Sequence, residues 1–434
     1  MQKDKKKTIF GWALYDWANS AFATTVMAGF FPLFFKQYWS AGTDVTMSTA
    51  MLGLANSVAG IMVALFAPVL GAIADRGTSK KKFLLFFSYL GIIMTSSLYM
   101  VSMGNWPLAV MLYVLANVGF ASGNIFYDSL ITSVASEKKM HFVSSLGFGL
   151  GYLGGGILFA LNVWMTLSPE TFGFADAASA VKFSFLTVGI WWAVFSIPLF
   201  LFVKEPKSAY ADSGRGSIRA GLAQLRDTFH EIKHLKTIIL FLAAYWLYID
   251  GVDTIIRMAV DYGISIGFEA KDLILALLIT QFVGFPSAIG FGYLGERIGA
   301  RRAIFIAITI YLFVSIWGAF ISDKSEFYVL AVIIGLVQGA IQALSRSFYA
   351  KIIPANKSAE YFGFYNMLGK FAAVFGPLMM GGVGLLVKGM GYSSDIASRA
   401  GISSIAFLFI SGGILFYYVD EEKGRAEVKY LENL

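Results

Sequence analysis

The chain is expected to be an all-α integral membrane protein: twelve transmembrane helices in two pseudo-symmetric six-helix bundles, with both termini in the cytoplasm. Three observations lead there. Of its 434 residues 57% are hydrophobic and 14% charged, with a mean hydropathy of +0.68, whereas a soluble domain is about a quarter charged. Twelve apolar runs of roughly 20 residues or more, the length that crosses a hydrocarbon core, alternate with charged loops. Finally, one loop is written twice: GAIADRGTSKKK at 71–82 returns as GYLGERIGARRA at 292–303, so that Gly71 matches Gly292, Asp75 matches Glu296 and Arg76 matches Arg297. An internal repeat of this kind marks two related halves.

The runs follow in order. The first, 8–36, comes after four lysines, yet at about 29 residues and without a small-residue cleavage site it reads as a span and not as a removable signal. Met1 is therefore expected to begin the mature chain. Runs 46–74 and 82–103 flank the first copy of the loop, and 106–131, 141–166 and 181–203 complete an N-terminal bundle over 1–203. Residues 204–236 form a basic cytoplasmic linker. Runs 237–262 and 271–294 lead to the second copy, and 302–321, 327–350, 358–387 and 399–419 complete a C-terminal bundle with a short tail over 237–434. Pro32, Pro68, Pro198, Pro286 and Pro377 fall inside runs, where they kink helices if neighbours re-satisfy the freed carbonyls. The repeat extends past the loop at an offset of 222: Tyr127 matches Tyr349, Leu146-Gly147 matches Leu368-Gly369, and Gly154 matches Gly376.

Basic residues give the orientation, because cytoplasmic loops hold the positive excess. The side carrying both termini has 25 of the 34 lysines and arginines and the opposite side six. The net charge of +7 is thus a topology signal, spread over many short loops, and it argues against a nucleic-acid partner. The absence of cysteine excludes disulfides and thiolate metal sites. No GxxxxGK[ST] phosphate loop is present. No cofactor is expected.

Two strings look catalytic. His230-Glu231-Ile232-Lys233-His234 fits the HExxH zinc pattern, but only one further histidine, His141, exists, so a solvated linker helix is the expected reading. Gly149-x-Gly151-x-x-Gly154 fits a dinucleotide fingerprint that requires a preceding strand. Here it lies in an apolar helix, with Gly151 and Gly155 at GxxxG spacing, so close helix packing is expected. The chain is not expected to be an enzyme.

Ionisable groups inside spans are costly, roughly 2.5–3.5 kcal/mol each on insertion scales, and so mark function. The seventh span carries Asp250, Asp253, Arg257 and Asp261 within an arc of about 80°. Arg257 lies four residues from both Asp253 and Asp261. Three carboxylates competing for one arginine leave an excess, and a carboxylate without a partner in a dry site holds a proton readily. Asp250 or Asp253 is the expected proton carrier; a static ion network is the alternative. Polar stripes recur elsewhere: Asp16 and Asn19 in the first span, Asn117, Asn124 and Asp128 in the fourth, Gln338, Gln342 and Arg346 in the tenth, and Asn366 with the isolated Lys370 in the eleventh. Asp16, Asn19, Asn124, Asp128, Gln338, Gln342, Asn366 and Lys370 are expected to surround a polar substrate; interhelical hydrogen bonding is the alternative for the amides. Arg346 sits near the cytoplasmic end of its span, where snorkelling or a phosphate contact accounts for it.

Twelve spans, a central basic linker and the G-x-x-x-D-R-x-x-x-K-K loop after the second span resemble the Major Facilitator Superfamily. The strings GWALYDWANSAFATT (11–25), DGVDTI (250–255), QGAIQALSRS (338–347) and YFGFYNMLGKFAAVFGP (361–377) resemble, more narrowly, its vacuole-effluxer-like transporters. In that superfamily the loop latches neighbouring helices in one conformation, which implies such a role for Gly71, Asp75, Arg76, Gly292, Glu296 and Arg297. The glycine-rich fifth span lacks the proline of the superfamily's antiporter motif; Gly376-Pro377 stands in the eleventh instead. The resemblance implies a monomeric secondary transporter working by alternating access, in the plasma membrane if the source is bacterial. Its substrate would be a small polar solute, an amino acid or similar zwitterion, with export and coupling to protons. Export or flipping of amphipathic compounds or lipids is the alternative within transport, and a membrane-embedded sensor or channel the alternative outside it.

Overall fold

The computed structural model describes residues 3–42, 45–205, 228 and 235–432. His230, Glu231, His234 and most of the 204–236 linker lie outside the described residues. Among those described are twelve helices long and apolar enough to cross a membrane: α1 (Lys6–Trp39), α2 (Val45–Gly77), α3 (Lys80–Met100), α4 (Trp106–Val134), α5 (Met140–Leu167), α6 (Ala177–Phe202), α7 (Lys236–Ser265), α8 (Ala270–Ile298), α9 (Ala300–Gly318), α10 (Lys324–Ile352), α11 (Ser358–Gly389) and α12 (Asp395–Tyr417). A charged helix, α13 (Glu421–Glu432), follows.

Local chemistry starts and bends these helices. Asp323 closes a capping box with Glu326 at the start of α10, and the Asp176 side chain accepts the Ser179 N–H at the start of α6. These hydrogen bonds, from Ser325 to Asp323 and from Ser179 to Asp176, hold both carboxyls below the usual range. In α1 the turns widen to π-helix over Phe22–Phe30 and Phe35–Trp39, either side of Pro32. Such widening relieves the hydrogen-bond gap a proline leaves.

Packing is repeated between halves. In the first, α1 packs on α5 and α6, α3 on α4 and α6, and α2 on α4; shifted by six helices, α7 packs on α11 and α12, α9 on α10 and α12, and α8 on α10. The contacts between halves obey the same exchange, since α2–α11 is matched by α8–α5 and α4–α11 by α10–α5. The two bundles are therefore related by a pseudo-two-fold axis through their shared interface.

The twice-written loop serves both ends of this arrangement. Lys81 Nζ donates to the carbonyls of Phe200 and Val203 at the end of α6, 2.8 and 2.7 Å away, and Arg301 donates to the Tyr417 carbonyl at the end of α12. Each basic cluster thus neutralises the C-terminus of the last helix of its bundle, the negative end of the helix dipole. The chain takes the same left-handed step in both copies, at Thr78 (φ 49°) and Gly299 (φ 87°).

Both termini lie on one face. The Asp4 side chain accepts the Ser136 N–H beside the α4–α5 turn, and Glu427 of α13 accepts the Thr237 N–H at the start of α7. On this terminal face the α2–α11 seam is tight: a Cβ on Gly71 would run into the Ala359 carbonyl, and one on Gly363 would lie 2.6 Å from the Ala67 carbonyl. Toward the far face Gly53 and Gly60 of α2, and Gly381 and Gly382 of α11, have no such neighbours among the described residues. The seam opens in that direction.

Candidate functional site

A buried polar knot surrounds Arg346 of α10. Its guanidinium donates to Asp128 Oδ1 of α4 at 3.0 Å, to Asp16 Oδ2 of α1 at 3.2 Å, and to the Ser144 hydroxyl and carbonyl of α5 at 2.9 and 2.8 Å. Its faces are covered by Phe148 and Trp12, 4.3 and 4.8 Å from the ring centroids. Tyr127 donates to Asp16 Oδ2 at 2.8 Å. Arg346 is 2% exposed, which corrects the reading of this side chain as one that snorkels to the membrane surface. Asp16 and Asp128, expected around a substrate, are engaged by the protein itself, and Asn366 of α11 reaches Asp128 Oδ2 only weakly, at 3.5 Å.

The fold makes this knot through glycine. A Cβ on Gly147 would sit 2.5 Å from Asp16 Oδ2 and 3.1 Å from Arg346 Nη2, so only glycine leaves room for the pair. The other α5 glycines bear out the packing reading: Gly151, Gly154 and Gly155 face Ser20, Trp17 and Thr24 of α1, and Gly149 faces Phe285 and Ile289 of α8.

Beside the knot toward the terminal face lies the latch. Asp75 is buried, pairs with Lys80 at 2.7 Å, and accepts the N–H groups of Ala359 and Glu360 in the first turn of α11 at 3.2 and 2.8 Å. Lys80 also donates to Ser358 at 2.7 Å. Its counterpart Glu296 lies against the backbone of Phe142, in the first turn of α5, but is exposed.

The α7 acids separate into two environments. Asp250 is buried against α11, accepting the Gly376 N–H at 3.0 Å and the Thr254 hydroxyl at 3.4 Å, while its second oxygen has no partner among the described residues. Asp253 is half-buried and within electrostatic range of Arg257 of its own helix and Lys370 of α11. Neither cation is in direct contact with it, so of the two acids four residues from Arg257 it is not Asp253 that pairs with it. Arg257 is exposed, Lys370 is half-buried, and the side chain of Asp261 lies outside the described residues.

The amides divide likewise. Asn19 donates to Asn124 at 2.6 Å, which matches the interhelical alternative. Gln342 accepts from Tyr152 at 3.1 Å, and Gln338 lies close to the same hydroxyl. Asn366 is tied to the Phe362 carbonyl at 3.0 Å. Tyr245 and Tyr365 stack with centroids 4.1 Å apart beside these groups. Nothing in the sequence pattern singles out Ser144, Phe148 or Tyr152; of this set only Tyr127 is marked, through its place in the repeat. His141, the remaining histidine, bonds Ser347 and Lys351 at 2.8 and 3.0 Å.

Comparisons with known proteins agree with this architecture. Residues 40–429 match the family described as vacuole effluxer Atg22 like. The chain is 36% identical over 424 residues, 97% of each protein, to the uncharacterized MFS-type transporter YxiO of Bacillus subtilis. It is 24% identical, over 90% of this chain and 71% of the relative, to Autophagy-related protein 22 of Gibberella zeae. Among solved structures it superposes on the proton:xylose symporter XylE with a TM-score of 0.70 over 98% of this chain and 97% of that one at 14% identity. On FucP in its outward conformation the TM-score is 0.66 over 95% and 98%, also at 14% identity. At that identity the likeness speaks to fold, and the fold is that of the Major Facilitator Superfamily. The sequence matches over nearly the whole chain go further: the chain belongs to the Atg22-like vacuole-effluxer family of MFS-type membrane transporters.

Proposed function

We propose that the chain exports small zwitterions, amino acids foremost, by proton-coupled alternating access, with the terminal face toward the cytoplasm and residues 204–236 tethering the two bundles. The observation that carries this reading is the set Asp253, Arg257 and Lys370. One carboxylate and two cations stand near one another without direct ion pairs among the described residues, between α7 and α11, where the α2–α11 seam opens. Charges held apart in a low-dielectric setting are complementary to a ligand that brings both signs. Asp253 fits an ammonium group, and Lys370 with Arg257 fits a carboxylate. Gln338, Gln342 and Asn366 supply further hydrogen bonds, and the Tyr245–Tyr365 stack an apolar wall. Asp250, with one carboxylate oxygen lacking a donor, is suited to carry the coupled proton.

Counterflow tests this. Purified protein in liposomes preloaded with single amino acids is expected to take up labelled substrate saturably and with trans-stimulation. Lys370→Ala and Asp253→Asn are each expected to raise KM by about tenfold or more, because a charge-assisted hydrogen bond is worth about 1.5–3 kcal/mol. Asp250→Asn is expected to remove the stimulation by a pH gradient. Flux of hydrophobic dyes, with none of any amino acid, would redirect the substrate assignment to amphipathic compounds.

A further inference from the structure

We propose that Asp16 and Asp128 together form a proton-binding site that controls opening of the terminal face. The inference rests on alternating access as set out above, but not on the identity of the substrate.

The argument begins with a charge count. Two buried carboxylates share one guanidinium, and Arg346 is the cation acting on both. Among the described residues the other titratable groups facing them are tyrosines: Tyr15 of α1, Tyr127 of α4, Tyr152 of α5, Tyr245 of α7 and Tyr365 of α11. The neighbouring latch carries the Asp75–Lys80 pair and the buried carboxyl of Glu360 at the start of α11. Fully ionised, the knot would carry one uncompensated negative charge in a buried site, where the Asp16 and Asp128 side chains are each 10% exposed and Arg346 3%. Like charges in one such site do not both ionise freely, and a single shared proton brings the knot to neutrality. The hydrogen bonds accommodate that proton: Asp16 Oδ2 accepts from both Arg346 and Tyr127, whereas among the described residues Asp128 Oδ2 has only the 3.5 Å approach of Asn366.

Geometry then links the proton to conformation. Asp16, Asp128 and Ser144 belong to the first bundle and Arg346 and Asn366 to the second, so rocking the bundles apart on the terminal face must pull Arg346 out of the knot. Water then reaches both carboxylates and the need for the proton disappears. The closed state binds a proton that the open state releases to the terminal side. This site is separate from the α7 acids and supplies a reason for proton release at the moment of opening.

The test uses a reporter that does not depend on transport. The chain contains no cysteine, so Ala67→Cys, placed in the closed α2–α11 seam, is a single label site. Its reaction with a maleimide, corrected for the reagent's own pH dependence against a cysteine in an exposed loop, measures opening of the terminal face in purified protein without substrate. Raising pH is expected to speed labelling by about tenfold for each unit of difference in proton affinity between the two states. Asp128→Asn balances the knot without a proton and is expected to remove the knot's share of this dependence, while Asp250→Asn leaves that share in place. Asp16→Asn changes the charge count identically and serves if Asp128→Asn does not fold. A flat profile in the otherwise unaltered chain overturns the proposal. So does a profile that both Asp128→Asn and Asp16→Asn leave unchanged, or one that vanishes in Asp250→Asn instead. Counterflow that fails while the labelling profile holds would leave the gate standing and remove only the substrate reading.

Discussion

Gly147 and Gly369 occupy equivalent places in the two halves, yet their surroundings differ, and the difference is measurable. A methyl on Gly147 would intrude on Asp16 Oδ2 at 2.5 Å, whereas one on Gly369 meets only the Tyr245 hydroxyl at 3.8 Å. Gly147→Ala is therefore expected to displace Asp16 from Arg346 and destabilise the protein by about 1–3 kcal/mol, since it leaves buried polar groups imperfectly paired. Gly369→Ala is expected to be neutral or slightly stabilising, alanine being the better helix former. Thermal unfolding of the two variants side by side checks this, and equal losses would mean that Gly147 is a packing glycine only. At this scale the sequence is half informative. The cost of burying charge marks Asp16, Asp128 and Lys370 as functional from the sequence alone, but not Arg346, whose place near the end of its span suggests snorkelling. Which acid meets which base is decided by helices 218 to 330 residues apart, as in the Arg346 bonds to Asp128 and Asp16, and no local periodicity carries that information.

Among the elements, the spanning helices are legible because the bilayer demands about 20 apolar residues for each. The helix α13 is not, being charged and outside the membrane. It docks through the buried Val428 and through ion pairs: Glu421 pairs with Lys351 of α10 at 2.9 Å, and Arg425 with Glu137 of the α4–α5 turn at 3.0 Å, so α13 bridges both bundles on the terminal face. Burial works against the Glu421 carboxylate, but Lys351 and Arg425 outweigh it and hold the carboxyl below the usual range. A depressed acid contributes stability above its unfolded value and loses it as pH falls through the folded one. Docking of α13 is thus expected to weaken only below about pH 4.5. A nitroxide on Tyr430→Cys, at an exposed position, is expected to gain mobility on acidification through that range, and to be mobile at every pH when Lys351→Met is added. Mobility that is independent of pH in both proteins would show that α13 is held by other contacts.

For the whole molecule, the repeat announces two matching bundles, and the packing of α2 on α11 and of α5 on α8 confirms them as pseudo-symmetric. Symmetry of sequence does not extend to symmetry of state. Asp75 is buried and binds the start of α11 together with Lys80, whereas Glu296 is exposed beside the start of α5. One latch is engaged far more firmly than the other, although the two loops read alike, because the conformation decides which seam is desolvated. The energetic weight of the terminal closure therefore falls on the α2–α11 side. Breaking a buried ion pair by removing one partner is costly, about 3–5 kcal/mol, since the other charge is left without its counterion; an exposed carboxylate contributes about 0–1 kcal/mol. Asp75→Ala is expected to shift the population toward the state open on the terminal face and to speed labelling of Ala67→Cys by tenfold or more. Glu296→Ala is expected to change it by less than about twofold, within the range of an exposed charge. Equal acceleration by both would mean that the two loops share the closure evenly. A slowing by Asp75→Ala would place the latch in the open state and reverse the assignment of which conformation this loop stabilises.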